Sequence, residues 1–115
     1  MPLITVITIN LNNLSGLKKT VQSVLDQYFK DYEYIVIDGG SKDGSKDYLK
    51  EKNEDIDYWI SENDKGIYDA MNKGIKIAKG KYLYFLNSGD WLCNSSVFSE
   101  VQKQLIDSDF VYGDL

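Results

Sequence analysis

The chain has 115 residues, of which 43% are hydrophobic and 27% are charged, a composition typical of one soluble globular domain. Its net charge of −5 argues against nucleic acid or an anionic membrane surface as a partner. All 13 basic residues are lysines, so the sequence excludes His-dependent catalytic triads, imidazole metal ligands and a bidentate arginine clamp on phosphate.

Cys93 is the only cysteine, which excludes an intrachain disulfide and a cluster of thiolate metal ligands. The N-terminal residues lack the basic lead and the long apolar run of a signal peptide, and no stretch approaches the length of a membrane span. We expect a cytoplasmic protein, or one held peripherally at the inner face of the membrane.

Apolar, β-branched and aromatic segments predict strands at residues 3–10, 34–37, 57–61 and 82–86, and the start of a fifth strand at residues 110–112. Helical patterns lie between these segments. Strands that alternate with helices favour a mostly parallel sheet with right-handed crossovers. The predicted fold class is therefore α/β, in one domain over residues 1–115.

The spacing of apolar residues predicts the helices. The first is capped by Ser15 and has one apolar face, formed by Leu17, Val21, Val24, Leu25 and Tyr28. A polar helix is expected over about residues 45–52. The third carries an apolar stripe and ends with Gly80 as its C′ residue; the stripe is Ile67, Met71, Ile75 and Ala78. A last helix, capped by Ser95 or Ser96, is predicted to reach about residue 106.

Polar side chains stand where the predicted strands end, namely Asn10, Asn12, Asp38, Glu62, Asp64, Asn87 and Asp90. Ligands of open α/β sheets bind beyond the carboxyl ends of the strands, so we expect these residues to share one site. Four of them are carboxylates, which without Arg or His favour a hard divalent cation completed by water and phosphate. The residues alone thus predict a metal–phosphate site at this edge of the sheet.

Four segments, in order, resemble family 2 glycosyltransferases, which have the GT-A fold. The sequence ITVITINLN (residues 4–12) resembles the first strand of that family, and DGGSKDG (38–44) resembles the aspartate and Gly/Ser turn of its second-strand motif. The sequence SENDKGIYDAMNKG (61–74) is similar to a segment in one branch of the family. FLNSGD (85–90) stands in the place of the metal-binding aspartate motif.

The resemblance implies a role for each matching residue. Asn10 and Asn12 would line the nucleoside pocket, Asp38 would hydrogen-bond the base or ribose, and Asp64, Lys65 and Gly66 would lie near the nucleotide and donor sugar. Asp90 would be the ligand of a divalent metal, Mg²⁺ or Mn²⁺, that bridges to the diphosphate. Asn87 and Gly89 stand where many relatives have aspartates, so we expect weak metal binding before the nucleotide arrives.

Each position also has a purely structural interpretation. Asp38 can tie down its own Gly-rich turn, Asp64 can cap the following helix, and Asp90 can cap a turn. Asn10 and Asn12 can simply begin a loop. The functional interpretation depends on whether these positions come together at one edge of the sheet.

The resemblance implies transfer of a sugar, with inversion, from a nucleoside diphosphate to a hydroxyl of a saccharide or lipid-linked acceptor in glycan biosynthesis. The general base, a carboxylate in such enzymes, is expected beyond residue 115. A non-catalytic nucleotide-sugar-binding module or an inactive fragment is therefore an alternative. A sugar nucleotidyltransferase would need a Gly-rich basic loop after the first strand, whereas residues 11–16 contain one glycine and no basic residue. A glycoside hydrolase would need two facing carboxylates at a defined distance, and the Gly-rich turn argues for phosphate instead.

Members of that family usually have about twice this length, as the resemblance implies, so the sheet is expected to be incomplete at its C-terminal end. An incomplete sheet exposes an edge strand and apolar surface. We expect this chain to form homo-oligomers or to be marginally stable.

Overall fold

The computed structural model describes residues 2–90, 92 and 96–97, and strands and helices alternate through this part of the chain. They are β1 (Ile4–Asn10), α1 (Leu14–Leu25), β2 (Tyr32–Asp38), α2 (Ser45–Glu51), β3 (Tyr58–Ser61), α3 (Ile67–Ile77) and β4 (Tyr82–Phe85). The predicted α/β class is confirmed. The fifth strand and, apart from residues 96 and 97, the last predicted helix lie outside the described residues.

The four strands form one sheet in the order β3-β2-β1-β4, with every neighbouring pair parallel. The register places Asn10 beside Asp38 and Asp38 beside Ser61. The last residues of β1, β2 and β3 therefore form a lateral row at the carboxyl edge. Within the described ranges, no helix is both long and apolar enough to cross a membrane.

Alternation along the strands sends side chains to two separate cores. Val6, Tyr34 and Val36 pack with Leu17, Val21, Val24 and Leu49, which come from α1 and α2. Ile7, Ile35 and Ile37 pack with Ala70 of α3 on the opposite face. The sheet is thus covered on both faces, as the apolar character of β1 and β2 requires.

Two expectations for α1 are wrong. Its N-cap is Asn13, whose side-chain oxygen accepts a hydrogen bond from the Gly16 amide at 3.2 Å, and Ser15 lies within the helix. Tyr28 lies beyond the end of the helix and is 76% exposed. Asn13 precedes the predicted cap, Ser15, by two residues, and asparagine and serine are both favourable N-cap residues.

The predicted apolar stripe of α3 is wrong in phase. Ala70 and Gly74 are the buried residues of this helix, whereas Ile67 and Ile75 are 49% and 43% exposed. A Cβ at Gly74 would lie 2.8 Å from Cγ2 of Ile7, so small residues let the helix approach the sheet closely. Gly80 is not the C′ residue, because α3 ends at a C-cap on Ala78. Gly80 instead lies against β1, and its amide donates to Oγ1 of Thr5 at 2.8 Å.

Candidate functional site

Asp38 is the centre of a hydrogen-bond network at the carboxyl edge of the sheet. Its Oδ1 accepts from Nδ2 of Asn10 at 2.8 Å and from Oγ of Ser41 at 2.6 Å. Its Oδ2 accepts from Oγ of Ser61 at 2.7 Å and from the amides of Gly40 and Ser41 at 3.2 and 2.9 Å. Asp38 is 0% exposed. Its hydrogen bonds join the ends of β1, β2 and β3 to the Gly-rich turn.

The charge of Asp38 is maintained by this network. Burial raises the pKa of the carboxyl, but the hydrogen bonds from Ser41, Ser61 and Asn10 outweigh burial and hold the pKa below its ordinary value. Asp38 is therefore an anion at neutral pH that only accepts hydrogen bonds. The structural interpretation, an aspartate that ties down its own turn, is confirmed by the two amide contacts.

Asn10 is held in one orientation by that anion. Its Nδ2 faces Asp38 and also donates to Oγ of Ser45 at 3.0 Å. Because an ionised carboxylate can only accept, the amide cannot flip. The Oδ1 of Asn10 is consequently turned away, and it is buried with no hydrogen-bond partner among the described residues. An unsatisfied buried acceptor costs about 1–3 kcal/mol, which a ligand N–H or O–H can recover.

Asn12 joins the loop after β1 to the loop after β2. Its amide donates to Oγ of Ser41 at 2.7 Å, and its Oδ1 accepts from the amide of Lys42 at 2.8 Å. Its φ of +48° is a left-handed conformation, which asparagine tolerates better than most residues. Asn12 is exposed and fixes the position of the Gly-rich turn.

A cleft of about 170 Å³ opens beside the end of β1. Its lining combines apolar side chains with three of the predicted site residues: Ile9, Asn10, Leu11, Asp64, Gly66, Ile67 and Ala70. The structure thus brings Asn10, Asp64 and Gly66 together. Asn12, Asp38, Lys65 and Asp90 do not line this cleft.

Asp64 is placed by the loop that leads into α3. Its Oδ1 accepts from the amide of Gly66 at 3.0 Å, and a Cβ at Gly39 would lie 3.0 Å from its Oδ2. Gly66, and not Asp64, is the N-cap of α3, so the predicted capping role of Asp64 is wrong. Lys65 is exposed, and its amide donates to Oδ2 of Asp69 at 3.0 Å.

Asp90 ends a short turn after β4. The turn is fastened to β1 by a hydrogen bond from the amide of Ser88 to the carbonyl of Ile9 at 3.0 Å, and it closes on itself from the amide of Asp90 to the carbonyl of Asn87 at 3.0 Å. Gly89 has a φ of +98°, which favours glycine there. Asp90 is exposed at the edge where β1 and β4 adjoin. This is the switch point of the sheet, where ligands bind in α/β folds.

The four strand-end carboxylates do not form a preformed metal cluster. Asp38 is enclosed by protein donors, and Glu62 pairs with Nζ of Lys73 at 3.1 Å. Among residues 2–90, 92 and 96–97, no group of three or more His, Cys, Asp or Glu side chains can hold a metal. One exposed carboxylate fits a hard cation only where a bound diphosphate and water supply the other ligands.

The sequence analysis assigned no role to the serine hydroxyls of the site, although Ser41 lies in the Gly/Ser turn of DGGSKDG. Ser41, Ser45 and Ser61 all belong to the network around Asn10 and Asp38. Asp43 supports it from outside, since its Oδ1 accepts from Oγ of Ser45 at 2.6 Å and its Oδ2 from the amide of Leu14 at 2.8 Å. A second sequence signal is the position of Ser61, which ends β3 as Asp38 ends β2.

A parallel sheet covered on both faces, with a cleft and polar loops at its carboxyl edge, defines an open α/β domain, the class whose ligands bind beyond the carboxyl ends of the strands. The family model for glycosyl transferase family 2 matches residues 5–114. The chain therefore belongs to glycosyl transferase family 2, as the resemblance of its motifs predicted.

Two curated relatives illustrate the match. An uncharacterised glycosyltransferase of Mycobacterium tuberculosis is 45% identical over 105 residues, which are 90% of this chain and 40% of the relative. A putative teichuronic acid biosynthesis glycosyltransferase of Bacillus subtilis is 40% identical over 93 residues, which are 77% of this chain and 36% of the relative. The chain thus spans less than half the length of these relatives.

Two solved structures share the fold. Staphylococcus aureus TarS, determined in complex with UDP-GlcNAc, superposes with a TM-score of 0.81 at 19% identity, over 91% of this chain and 31% of the TarS chain. A mannosyltransferase from Pyrobaculum calidifontis, in complex with GDP-Man and Mn²⁺, gives a TM-score of 0.82 at 20% identity, over 90% of this chain and 32% of its own. The predicted GT-A fold is confirmed.

Proposed function

We propose that the protein transfers a sugar, with inversion, from a nucleoside diphosphate to an acceptor hydroxyl, and that this chain forms the donor side. The observation that carries the proposal is the cleft at the carboxyl edge, where Asn10, Asp64 and Gly66 meet. Family membership supports the reaction class.

Asn10 is the proposed nucleoside contact. It lines the cleft, and its buried Oδ1 lacks a partner in the described part of the chain. The apolar neighbours Ile9, Leu11 and Ile67 suit the faces of a base or sugar ring. Asp64 and Gly66 are proposed to lie near the nucleotide, with the exposed Lys65 and Asn12 at the rim.

Asp38 contributes in this proposal chiefly by orienting Asn10. Direct contact with the base or ribose stays a prediction, and it requires a ligand hydroxyl or N–H to replace one of the five donors around the carboxylate. Removal of Asp38 is expected to weaken binding in either case, because Asn10 would lose its fixed orientation.

Asp90 is the proposed ligand of Mg²⁺ or Mn²⁺. When bound, such a cation supplies Lewis-acid neutralisation of the charge on the departing diphosphate. The proposal is supported by the exposure of Asp90 at the switch point and by the Mn²⁺ in the complex of the Pyrobaculum mannosyltransferase. The chain contains no arginine, so the cationic groups that it can offer to the phosphates are lysines and a bound metal.

The acceptor is proposed to be a saccharide or lipid-linked saccharide used in glycan biosynthesis at the cytoplasmic side of the membrane. The name of the Bacillus subtilis relative, which refers to teichuronic acid biosynthesis, supports a glycan product. A general base on the acceptor hydroxyl is required for inversion.

Calorimetric titration with UDP, GDP, CDP and ADP, each with Mn²⁺ and with EDTA, tests the donor site. We expect one diphosphate to bind better than the others and to bind more tightly with Mn²⁺. Asn10→Ala should weaken its binding in both conditions, whereas Asp90→Ala should weaken it only with Mn²⁺. Asp55→Ala, at an exposed position that precedes the amino end of β3, is the matched control. No binding of any diphosphate at millimolar concentration would refute the donor site.

A further inference from the structure

Thr20 of α1 binds the turn that presents Asp90. Its hydroxyl accepts from the amide of Gly89 at 3.0 Å and lies 2.5 Å from the carbonyl oxygen of Asp90, to which it donates. The carbonyl of Asn87 is farther away, at 3.5 Å. Thr20 is completely buried. One side chain on a helix thus binds two consecutive residues of a loop that is 69 or 70 positions away in sequence.

Ser23 holds the same segment on the other side of Asp90. Its Oγ accepts from the amide of Leu92 at 3.1 Å and donates to the carbonyl of Thr20 at 2.7 Å. Thr20 and Ser23 are three residues apart, so they lie on one face of α1. Hydroxyls from this helix therefore bind the backbone amides of Gly89 and Leu92, which precede and follow Asp90 in the chain.

A buried threonine in a helix commonly donates to the carbonyl one turn earlier, which satisfies the hydroxyl locally. Thr20 donates to the loop instead, and it is the loop amide of Gly89 that it satisfies. Both loop groups would be left without these hydrogen bonds if the hydroxyl were removed. Thr20 therefore holds the backbone of Gly89 and Asp90 in place, while the Asp90 side chain remains exposed.

We propose that Thr20 and Ser23 are positioning residues that hold Asp90 for the divalent cation; this rests on the proposed role of Asp90. Neither residue contacts the cation. They act through the backbone, so that little further ordering of the loop is needed when the diphosphate and metal bind. Removal of an outer-shell partner of a metal ligand lowers metal affinity about 10- to 100-fold, which sets the expected scale.

The test measures, by calorimetry on the 115-residue chain, how much Mn²⁺ improves the binding of whichever of UDP, GDP, CDP and ADP the chain prefers. The measured quantity is the ratio of the Kd in EDTA to the Kd in Mn²⁺. Thr20→Val removes the hydroxyl at nearly constant volume, and we expect this ratio to fall about tenfold. The Kd in EDTA should stay within about twofold of the unmodified chain, because the nucleotide cleft is untouched. Thr20→Ser retains the hydroxyl and should keep the ratio.

Thr5→Val is the matched control. Thr5 is also fully buried, and its hydroxyl also accepts from a glycine amide (Gly80, at 2.8 Å) and donates to an oxygen (Oε1 of Glu33, at 2.9 Å). These contacts lie at the amino end of the sheet. An unchanged ratio in Thr20→Val, or an equal fall in Thr5→Val, overturns the proposal.

If circular dichroism shows that Thr20→Val does not fold, Ser23→Ala replaces it, with the same expected direction and the same refuting result. The unmodified chain distinguishes the two proposed roles. If Mn²⁺ does not improve its binding of any of the four diphosphates, the metal role of Asp90 fails and the positioning role is overturned with it. If Mn²⁺ does improve binding and the variants match it, only the positioning role fails.

Discussion

The side chain of Asn10 donates to the carboxylate of Asp38 at 2.8 Å, and this contact orients the Oδ1 of Asn10, which has no hydrogen-bond partner within residues 2–90, 92 and 96–97. The two residues end adjacent parallel strands in register. The anion therefore has a function that does not require contact with a ligand. Asp38 prevents the Asn10 side-chain amide from rotating, so that its Oδ1 is an acceptor with a fixed direction. Asn10 is one of the residues that line the cleft.

Asp38→Asn tests the charge of that network. An amide can accept on only one of its two terminal atoms, so donors that now face Oδ2 would be left unsatisfied. We expect the free energy of unfolding at neutral pH to fall by about 3 kcal/mol, measured by urea denaturation. Asp55→Asn, which changes an exposed aspartate, should alter stability by less than about 0.5 kcal/mol.

The same variant should flatten the acid side of the pH profile. The pKa of Asp38 is lowered in the folded chain, so its stabilisation is present above the ordinary pKa of a carboxyl and is lost as pH falls through the folded value. Between about pH 5 and pH 2, Asp38→Asn should therefore lose less stability than the unmodified chain. Parallel profiles would contradict a lowered pKa at this position.

The lateral row of Asn10, Asp38 and Ser61 was partly predictable. The sequence placed Asn10 and Asp38 at the ends of strands in a parallel sheet, and the carboxyl ends of such strands share an edge. It also predicted the β-strands and α2 to within two residues or so of their bounds, because buried parallel strands are continuous apolar runs.

The rest of the site depends on tertiary contacts that leave no periodic signal. Thr20 and Ser23 lie on a helix whose pattern indicates packing, and their partners are about 70 residues away. The predicted buried face of α3 is wrong for a related reason, because a periodic pattern is recognised from large apolar residues. The contact with the sheet is made by Ala70 and Gly74, whose value is their small size.

Asn13→Ala tests the capping of α1. The loss of the side-chain oxygen that accepts from Gly16 should reduce stability by about 1 kcal/mol. Asn13→Asp keeps an accepting oxygen and should retain the cap. Both changes remove the 3.4 Å contact from Nδ2 of Asn13 to the carbonyl of Ser88, so their difference in thermal melting isolates the cap. Equal melting temperatures would show that Asn13 does not cap this helix.

Gly74→Ala tests the close approach of α3 to β1. In an exposed helix this change stabilises by about 1 kcal/mol. Here the new Cβ would lie 2.8 Å from Cγ2 of Ile7, which is β-branched and cannot easily move. We expect a net destabilisation of about 1–2 kcal/mol in urea denaturation. Asn72→Ala, at an exposed position of the same helix, should be neutral or slightly stabilising, and a stabilised Gly74→Ala would contradict the packing described for α3.

The expected self-association of this chain can be tested by changing exposed residues on the outer face of α3. Tyr68 is 79% exposed and Ile75 is 43% exposed, and the two are seven residues apart, which places them on one side of the helix. We expect sedimentation velocity to show concentration-dependent oligomers of the unmodified chain, because adjacent exposed apolar side chains favour association. The double variant Tyr68→Glu with Ile75→Lys should shift the chain towards monomer.

Tyr28→Glu is the control. It removes a similarly exposed tyrosine, which lies just beyond α1, and should leave the distribution of oligomers unchanged. A chain that is monomeric at all concentrations, or one that Tyr28→Glu dissociates equally well, would show that this face is not responsible.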